Sequence, residues 1–387
     1  MLDDVDLLIC GAGPVGCVVA ERAASVLGWK VLIVDRRSHI AGNCYDSRHS
    51  SGVLIHNYGP HYFRTNDASL LQYLTRFTEW LPAVYEVKSL VKGRLHPFPI
   101  NLDTLEQFFQ VQLDAASAER LLDELRVRNE SPNNSEDYVL SRVGRQLYEA
   151  FYLNYTTKQW GMHPRELAPQ VCGRIPIRKN RDARYVDHRF QVMPKQGFTA
   201  LFSRMLRHRK IRLLLDCPFQ EVRDLIHPRR ATVYTGPIDE YFGCRLGKLP
   251  YRSLNFEFVP FQTEYMQPCV QINYPNDFAY TRSVEIKHVT GQYHPATVIS
   301  YETPASTGEA YYPVPAAPNI ALYQQYERLA CQETHRRNVY FCGRLAQYRY
   351  FNTDEVMLEA LGCFNQLRRR YAPALAPFAS STAASIA

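Results

Sequence analysis

Between His56 and Arg64 the chain reads HNYGPHYFR, which brings together two imidazoles, three aromatic rings and one guanidinium. Imidazoles hold or pass a proton near neutral pH, rings stack on flat ligands, and a guanidinium donates several hydrogen bonds to an anion or a carbonyl. Alternation alone would make this stretch an amphipathic strand, so its meaning depends on what precedes it. Gly11, Gly13 and Gly16 form GAGPVG, and Asp35 lies nineteen residues beyond Gly16. The first glycine permits a tight turn, the second lets backbone approach a pyrophosphate, and the third lets helix and strand pack closely. The phosphate then rests on the helix N-terminus, and the carboxylate accepts hydrogen bonds from a ribose.

That chemistry requires a strand, a turn, a helix and a second strand. VDLLICG is an apolar run of strand length, GPVGCVVAERAASVLG has helical periodicity and ends on Gly28, and WKVLIVD is a second buried strand ending on Asp35. RRSHIAGNCYD then supplies Arg36 and a second glycine segment, Ala41-Gly42-Asn43, suited to passing close to a flavin. The late strand VYFCG, residues 339–343, is followed by Arg344. Many flavoproteins close the site there with a glycine and a polar residue near the ribityl chain. FAD is therefore favoured over NAD. Helices are predicted within 66–81 and 101–160, strands within 83–100 and 250–302, a surface turn at 129–135, and a helix from about Asp354 to Tyr371.

The expected fold is α/β, a Rossmann-like FAD-binding domain with a helical insert and an antiparallel β-sheet domain. The FAD-binding domain is discontinuous, over 1–80, 196–248 and 330–374. The helical substrate-nucleotide domain covers 101–170. The antiparallel sheet domain takes 81–100, 171–195 and 249–329, and 375–387 is a low-complexity flexible tail.

The 387 residues leave room for two or three domains, and a mean hydropathy of -0.32 suits a soluble globular chain. No apolar run reaches membrane-spanning length, because VDLLICGAGPVGCVVA is broken by Gly and Pro. No membrane partner is expected, nor, from the acidic start MLDDVD, a signal peptide. The ten cysteines show no CxxC pair and no metal-ligand spacing, so they read as reduced, mostly buried thiols of a cytoplasmic protein. The net charge of +7 is spread along the chain, which favours a phosphate-bearing ligand over nucleic acid. No Ser-His-Asp set, paired catalytic carboxylates or metal cluster stands out.

HIAGNCYD, IHNYGPHYFRT, NYTTKQWG, RIPIR, VYTGPIDEYF, YRSL, YTR, YYPVP and GRLAQYRYFN follow one another in this order. Together they closely resemble the bacterial UDP-galactopyranose mutases, over about residues 5–370. The resemblance implies an FAD enzyme that interconverts pyranose and furanose forms of a UDP-sugar without net redox. The nucleophile is then N5 of reduced flavin, which attacks the anomeric carbon and expels UDP. The adduct opens, the ring recloses through the other hydroxyl, and UDP returns. A homodimer and a reductant such as NAD(P)H or a reductase are implied with it.

The resemblance also implies roles. Phe151, Tyr155, Thr156 and Trp160 match the uridine site. Arg174 and Arg282 match the arginines that hold the diphosphate, Arg174 in a basic stretch that closes over substrate. Tyr185, Tyr312 and Tyr350 match phosphate-contacting tyrosines, Arg252 and Asn352 match residues near the sugar, and Arg344 matches a flavin contact. His61 matches a histidine beside the flavin, and His56 fixes its loop.

The chain departs from the family pattern at Arg64, where the motif usually ends FHT. An arginine there can reach an acceptor that galactose lacks, such as the carbonyl of a 2-acetamido group. UDP-N-acetylgalactosamine is therefore expected as substrate, with or without UDP-galactose; UDP-galactose alone, or another hexose or deoxyhexose nucleotide, are the alternatives. Tyr85 is a second sugar-side departure. Ala41 replaces a usual glycine and Thr353 a common methionine, both near the flavin. The rival readings are a conventional flavin oxidoreductase and a non-catalytic sugar-nucleotide-binding flavoprotein.

Overall fold

The structure, a computed structural model, describes residues 4–371. The expected tail at 375–387 lies outside the described residues. A five-stranded parallel sheet runs in the order Ile211–Leu214, Val31–Val34, Leu7–Cys10, Ala231–Tyr234, Val339–Phe341. Its inner strands read as nearly unbroken apolar runs because helices cover both faces. The helix Pro14–Val26 crosses between the first two strands in the chain and packs on the last helix, Thr353–Tyr371. This is the Rossmann-like unit anticipated from the glycine spacing.

A second sheet of seven strands runs Tyr312–Pro313, Tyr251–Phe261, Thr297–Ala305, Arg282–Val284, Gln271–Asn273, Val87–Val91, Arg94–Phe98. It is antiparallel except at one seam, where Gln271–Asn273 runs parallel to Val87–Val91. The expectation of a wholly antiparallel sheet is corrected there. Segment 171–195 also departs from expectation: its one strand, Phe190–Pro194, joins Phe63–Thr65 and Trp80–Pro82 in a separate three-stranded sheet. That pairing holds Arg64 opposite Gln191.

Within the helical region expected over 101–160, residues 136–155 do not form one continuous helix but are broken twice. Gly144 adopts φ 75°, ψ 178°, and a π-helical turn spans Tyr148–Leu153 before the helix Asn154–Trp160. A side chain at Gly144 would fall 2.1 Å from the Leu125 carbonyl oxygen. Seven of the ten cysteines are buried, and all ten are free thiols. Among the described residues no helix is long and apolar enough to cross a membrane.

Candidate active site

The dinucleotide end is built by backbone geometry. The helix Pro14–Val26 begins at Gly13 with no side-chain cap, so its first amides are open to an anion. A Cβ on Gly16 would stand 1.9 Å from the Gly11 carbonyl oxygen, which is why helix and turn need glycine there. Asp35 lies at the strand end; its Oδ2 accepts from the Ala12 amide at 2.7 Å and its Oδ1 from the Arg37 amide at 2.8 Å. Each oxygen keeps a lone pair for a ribose. The cavity in front is lined by Gly11, Gly13, Asp35, Arg36, Gly42 and Asn43, and further by His61, Arg344 and Thr353. Gly42 packs on Gly13, where a Cβ would meet the Gly13 Cα at 2.9 Å. Ala41 takes φ 74°, a left-handed conformation costly for a residue with a Cβ. The donors, the cradle and the carboxylate fit an adenine dinucleotide.

Sequence reasoning did not single out Arg37 or Thr235 here. Arg37 spans Asn43 Oδ1 with two 3.0 Å bonds and lies 4.4 Å over the Tyr58 ring. Thr235 donates to the Cys10 carbonyl at 2.7 Å and lines the cavity. The motif VYTGPIDEYF contains Thr235, but nothing in its spacing marks it.

A second cavity gathers residues from five distant segments. Phe151, Tyr155, Thr156 and Trp160 come from the π-turn and the helix after it, Arg174 and Tyr185 from the basic segment, Arg282 from a strand, and Tyr312 and Tyr350 from loops and edges. The π-turn shifts the helical register by one residue, yet both Phe151 and Tyr155 reach the cavity. Such insertions recur where a helix must present side chains to a ligand. Gln159 and Asn273 also line it and were not foreseen.

Three expected sugar-side residues stand behind this lining. Tyr85 is buried, stacks on Tyr62 with centroids 4.5 Å apart, and donates to Gln271 Oε1 at 2.9 Å. Gln271 in turn holds Asn273 at 2.7 Å. Arg64 donates to Asn352 Oδ1 at 2.6 Å and to the Tyr62 hydroxyl at 3.3 Å. Arg252 is placed differently from expectation. It donates to the Gln159 and Lys158 carbonyls at 3.0 and 3.1 Å and to Ser306 Oγ at 2.7 Å. It therefore caps the C-terminal end of the helix Asn154–Trp160 and does not line the aromatic cavity. His56 likewise lies off the dinucleotide cavity; its Nδ1 accepts the His61 amide at 3.0 Å.

The electrostatics are lopsided. Burial would raise the Tyr350 phenol, but Arg174, Arg344, Arg64 and Arg282 together bring it down to about 8. Arg174 lies 4.6 Å and Arg344 5.3 Å from the Tyr350 ring centroid. Against these four cations stands Glu302, which accepts from Arg282 Nε at 2.6 Å. Burial pushes the Glu302 carboxyl up and Arg282 offsets part of it. Arg344 also lies 5.3 Å over Tyr312 and lines the dinucleotide cavity, so it stands between the two spaces. Burial, then the charge of Arg344, lowers His61 to about 3. It is neutral, and since a carbonyl can only accept, its Nδ1–H donates to Gly59 at 2.9 Å and leaves Nε2 as acceptor.

The basic segment after Arg174 is tied to its surroundings by ion pairs, although Lys179, Arg181 and Arg184 stay exposed. Arg178 donates to Asp187 Oδ1 at 2.5 Å, and Arg181 reaches Asp103 and Glu106 on the helix Leu102–Phe109.

The family model for UDP-galactopyranose mutase matches residues 150–350, and one for an NAD(P)-binding Rossmann-like domain matches 9–77. A probable UDP-galactopyranose mutase of Klebsiella pneumoniae is 37% identical over 372 residues, covering 93% of this chain and 94% of that one. A dTDP-fucopyranose mutase of Escherichia coli is 34% identical over 92% of this chain and 97% of its own. Among solved structures, reduced UDP-galactopyranose mutase superposes with a TM-score of 0.70 at 16% identity, over 96% of both chains. At that identity the superposition speaks for the fold alone.

Proposed function

The chain belongs to the UDP-galactopyranose mutase family, and from that premise we propose that it interconverts the pyranose and furanose forms of a UDP-hexose on an FAD that works when reduced. The substrate in this reading is UDP-N-acetylgalactosamine, with or without UDP-galactose. One observation carries it: the charges of four guanidiniums converge on Tyr350, two of them lining the aromatic cavity, and buried Glu302 pairs with only one of these. Such a local excess of positive charge, open to solvent at Arg174, suits a polyanionic ligand, and a diphosphate supplies it.

Bound and reduced, the flavin supplies the nucleophile for the anomeric carbon. The protein's residues do the rest. Arg174 and Arg282 take the charge that builds on the departing diphosphate, each such bond being worth about 1.5–3 kcal/mol. Phe151, Tyr155 and Trp160 hold the base, while Tyr185 and Tyr312 close the cavity and exclude water. Exchange of the C1–O5 bond for a C1–O4 bond moves one proton off the O4 hydroxyl and one onto O5. Neutral His61 offers Nε2 as a hydrogen-bond acceptor that orients the reacting hydroxyl, its low basicity leaving it a positioning group. In this reading Arg64, held behind the lining by Asn352, is the donor offered to the carbonyl of a 2-acetamido group.

The same reading takes the protein as a cytoplasmic homodimer, its flavin kept reduced by NAD(P)H or a reductase. It divides the chain as the sequence suggests, the helical 101–170 unit binding the nucleotide. The 34% identity to a dTDP-fucopyranose mutase favours a deoxyhexose nucleotide as the second reading. Anaerobic, dithionite-reduced protein is incubated with UDP-N-acetylgalactosamine, UDP-galactose and dTDP-fucose, and products are separated by HPLC. A furanose product from the reduced protein alone is expected. Equal turnover with the flavin held oxidised, or NADH consumption with product reduction, overturns the reading.

A further inference from the structure

Apart from the two ligand cavities, a third and much smaller one lies under the histidine loop. Its volume is about 10 Å³, the room one water needs. Its walls are mostly apolar: Ile55, Phe258, Val284, Ile286 and Val298. Three polar atoms interrupt them. His56 Nε2, Ser300 Oγ and Glu302 Oε1 are all buried without a protein partner. The residues themselves are 4%, 9% and 0% exposed. Left unpaired, each such atom loses its hydration with nothing in return, a cost that a bound water removes. Three orphans around one water-sized space form a built site.

The strand Thr297–Ala305 explains two of them. Side chains at Val298, Ser300 and Glu302 share one face, because strand residues alternate. Glu302 is paired across the sheet with Arg282, which takes its other oxygen, Oε2. The third orphan comes from the opposite side. His56 ends the strand Leu54–His56, and its Nδ1 is an acceptor for the His61 amide, so a neutral ring must carry its proton on Nε2. The loop between these histidines lies close on Glu302, since a Cβ on Gly59 would stand 3.5 Å from both carboxylate oxygens.

We infer that this cavity binds one ordered water, which accepts from His56 Nε2–H and Ser300 Oγ–H and donates to Glu302 Oε1. Three bonds are what a buried water ordinarily makes. The water completes a chain from the diphosphate arginine to the flavin-side histidine. It runs Arg282, Glu302, water, His56, the His61 amide, and finally the His61 ring, whose Nδ1–H is held by Gly59. Glu302, Ser300 and His56 are thus positioning residues: they hold the His61 main chain, while the Gly59 carbonyl fixes its ring tautomer and Arg282 grips the ligand. The last link rests on the flavin-mutase reading; the water site does not.

The test begins without turnover. A crystal structure of the flavin-loaded protein, at a resolution that shows ordered water, should place one peak within hydrogen-bond reach of all three atoms. Imidazole 15N spectra should show His56 neutral with its proton on Nε2. Ser300→Val fills the cavity with a residue that suits a strand, and should expel the water. It should lower kcat by about tenfold, within the range a small misplacement can cost, and leave KM within about twofold. Ser300→Ala should keep the water with two partners and show a smaller fall, which covers the case in which the valine variant does not fold. An empty cavity, His56 protonated on Nδ1, or an unchanged kcat in Ser300→Val overturns the inference. Turnover with an empty cavity sinks the relay and spares the mutase reading; a filled cavity with no turnover does the reverse.

Discussion

Tyr350 offers the sharpest test of the crowded arginines. Its phenol falls from 10.0 to about 8 because four guanidiniums outweigh the burial that would raise it. A diphosphate seated on Arg174 and Arg282 neutralises part of that field and, as a like charge, disfavours the tyrosinate. Binding should then return the phenol toward its ordinary value. Linkage makes this reciprocal: a shift of about two pKa units is about 3 kcal/mol, or about a hundredfold in affinity. The dissociation constant of UDP should be flat below pH 8, rise by up to about tenfold per pH unit above it, and level off near pH 10. Isothermal titration of UDP into the oxidised holoprotein, across that range, reads the slope. Tyr350→Phe removes the titrating group, and whatever else titrates is common to both proteins. The same depression acts on folding. Its stabilising contribution is absent below pH 8, grows between 8 and 10, and is complete above 10. If parent and Tyr350→Phe show the same pH slope, the guanidinium cluster does not act on Tyr350 and the case for a polyanion loses its main support.

Other residues give shorter tests. Arg64→His should lower the kcat/KM ratio of UDP-N-acetylgalactosamine to UDP-galactose by about 10- to 100-fold, the worth of one charge-assisted hydrogen bond; an unchanged ratio removes Arg64 as the selector. Arg181→Ala unties the basic segment from Asp103 and Glu106. Because those pairs are exposed, it should raise KM less than about tenfold, and high salt should mimic it in the parent; steady-state kinetics across ionic strength would show this. Arg252→Met strips hydrogen bonds from two carbonyls at a helix end. It should cost about 1–3 kcal/mol of stability without altering sugar preference, which calorimetry and the substrate panel together would reveal.

What the sequence disclosed follows from how local each constraint is. GAGPVG and Asp35 are legible because a tight turn and a close helix contact act within a few residues, and the Gly16 cradle shows how little else would fit. The aromatic cavity was legible only through the family motifs. Four-residue spacing puts Phe151 and Tyr155 on one face, but the same spacing describes a core stripe, and a π-turn leaves no mark on apolar periodicity. Arg252 shows the limit of a motif: YRSL locates the residue but not the direction of its guanidinium, which turns to a helix end. Glu302 was hidden for a further reason. In ISYETPA it reads as a polar residue on an alternating strand, and its charge acquires a role only when the sheet register sets it opposite Arg282. His56 likewise reads as one histidine among two until a distant strand brings Ser300 and Glu302 beneath it. The residues that touch ligand carry chemical types a motif can record. Those that orient them are ordinary strand residues, made meaningful by pairings between segments far apart in the chain, and that register lies beyond local pattern.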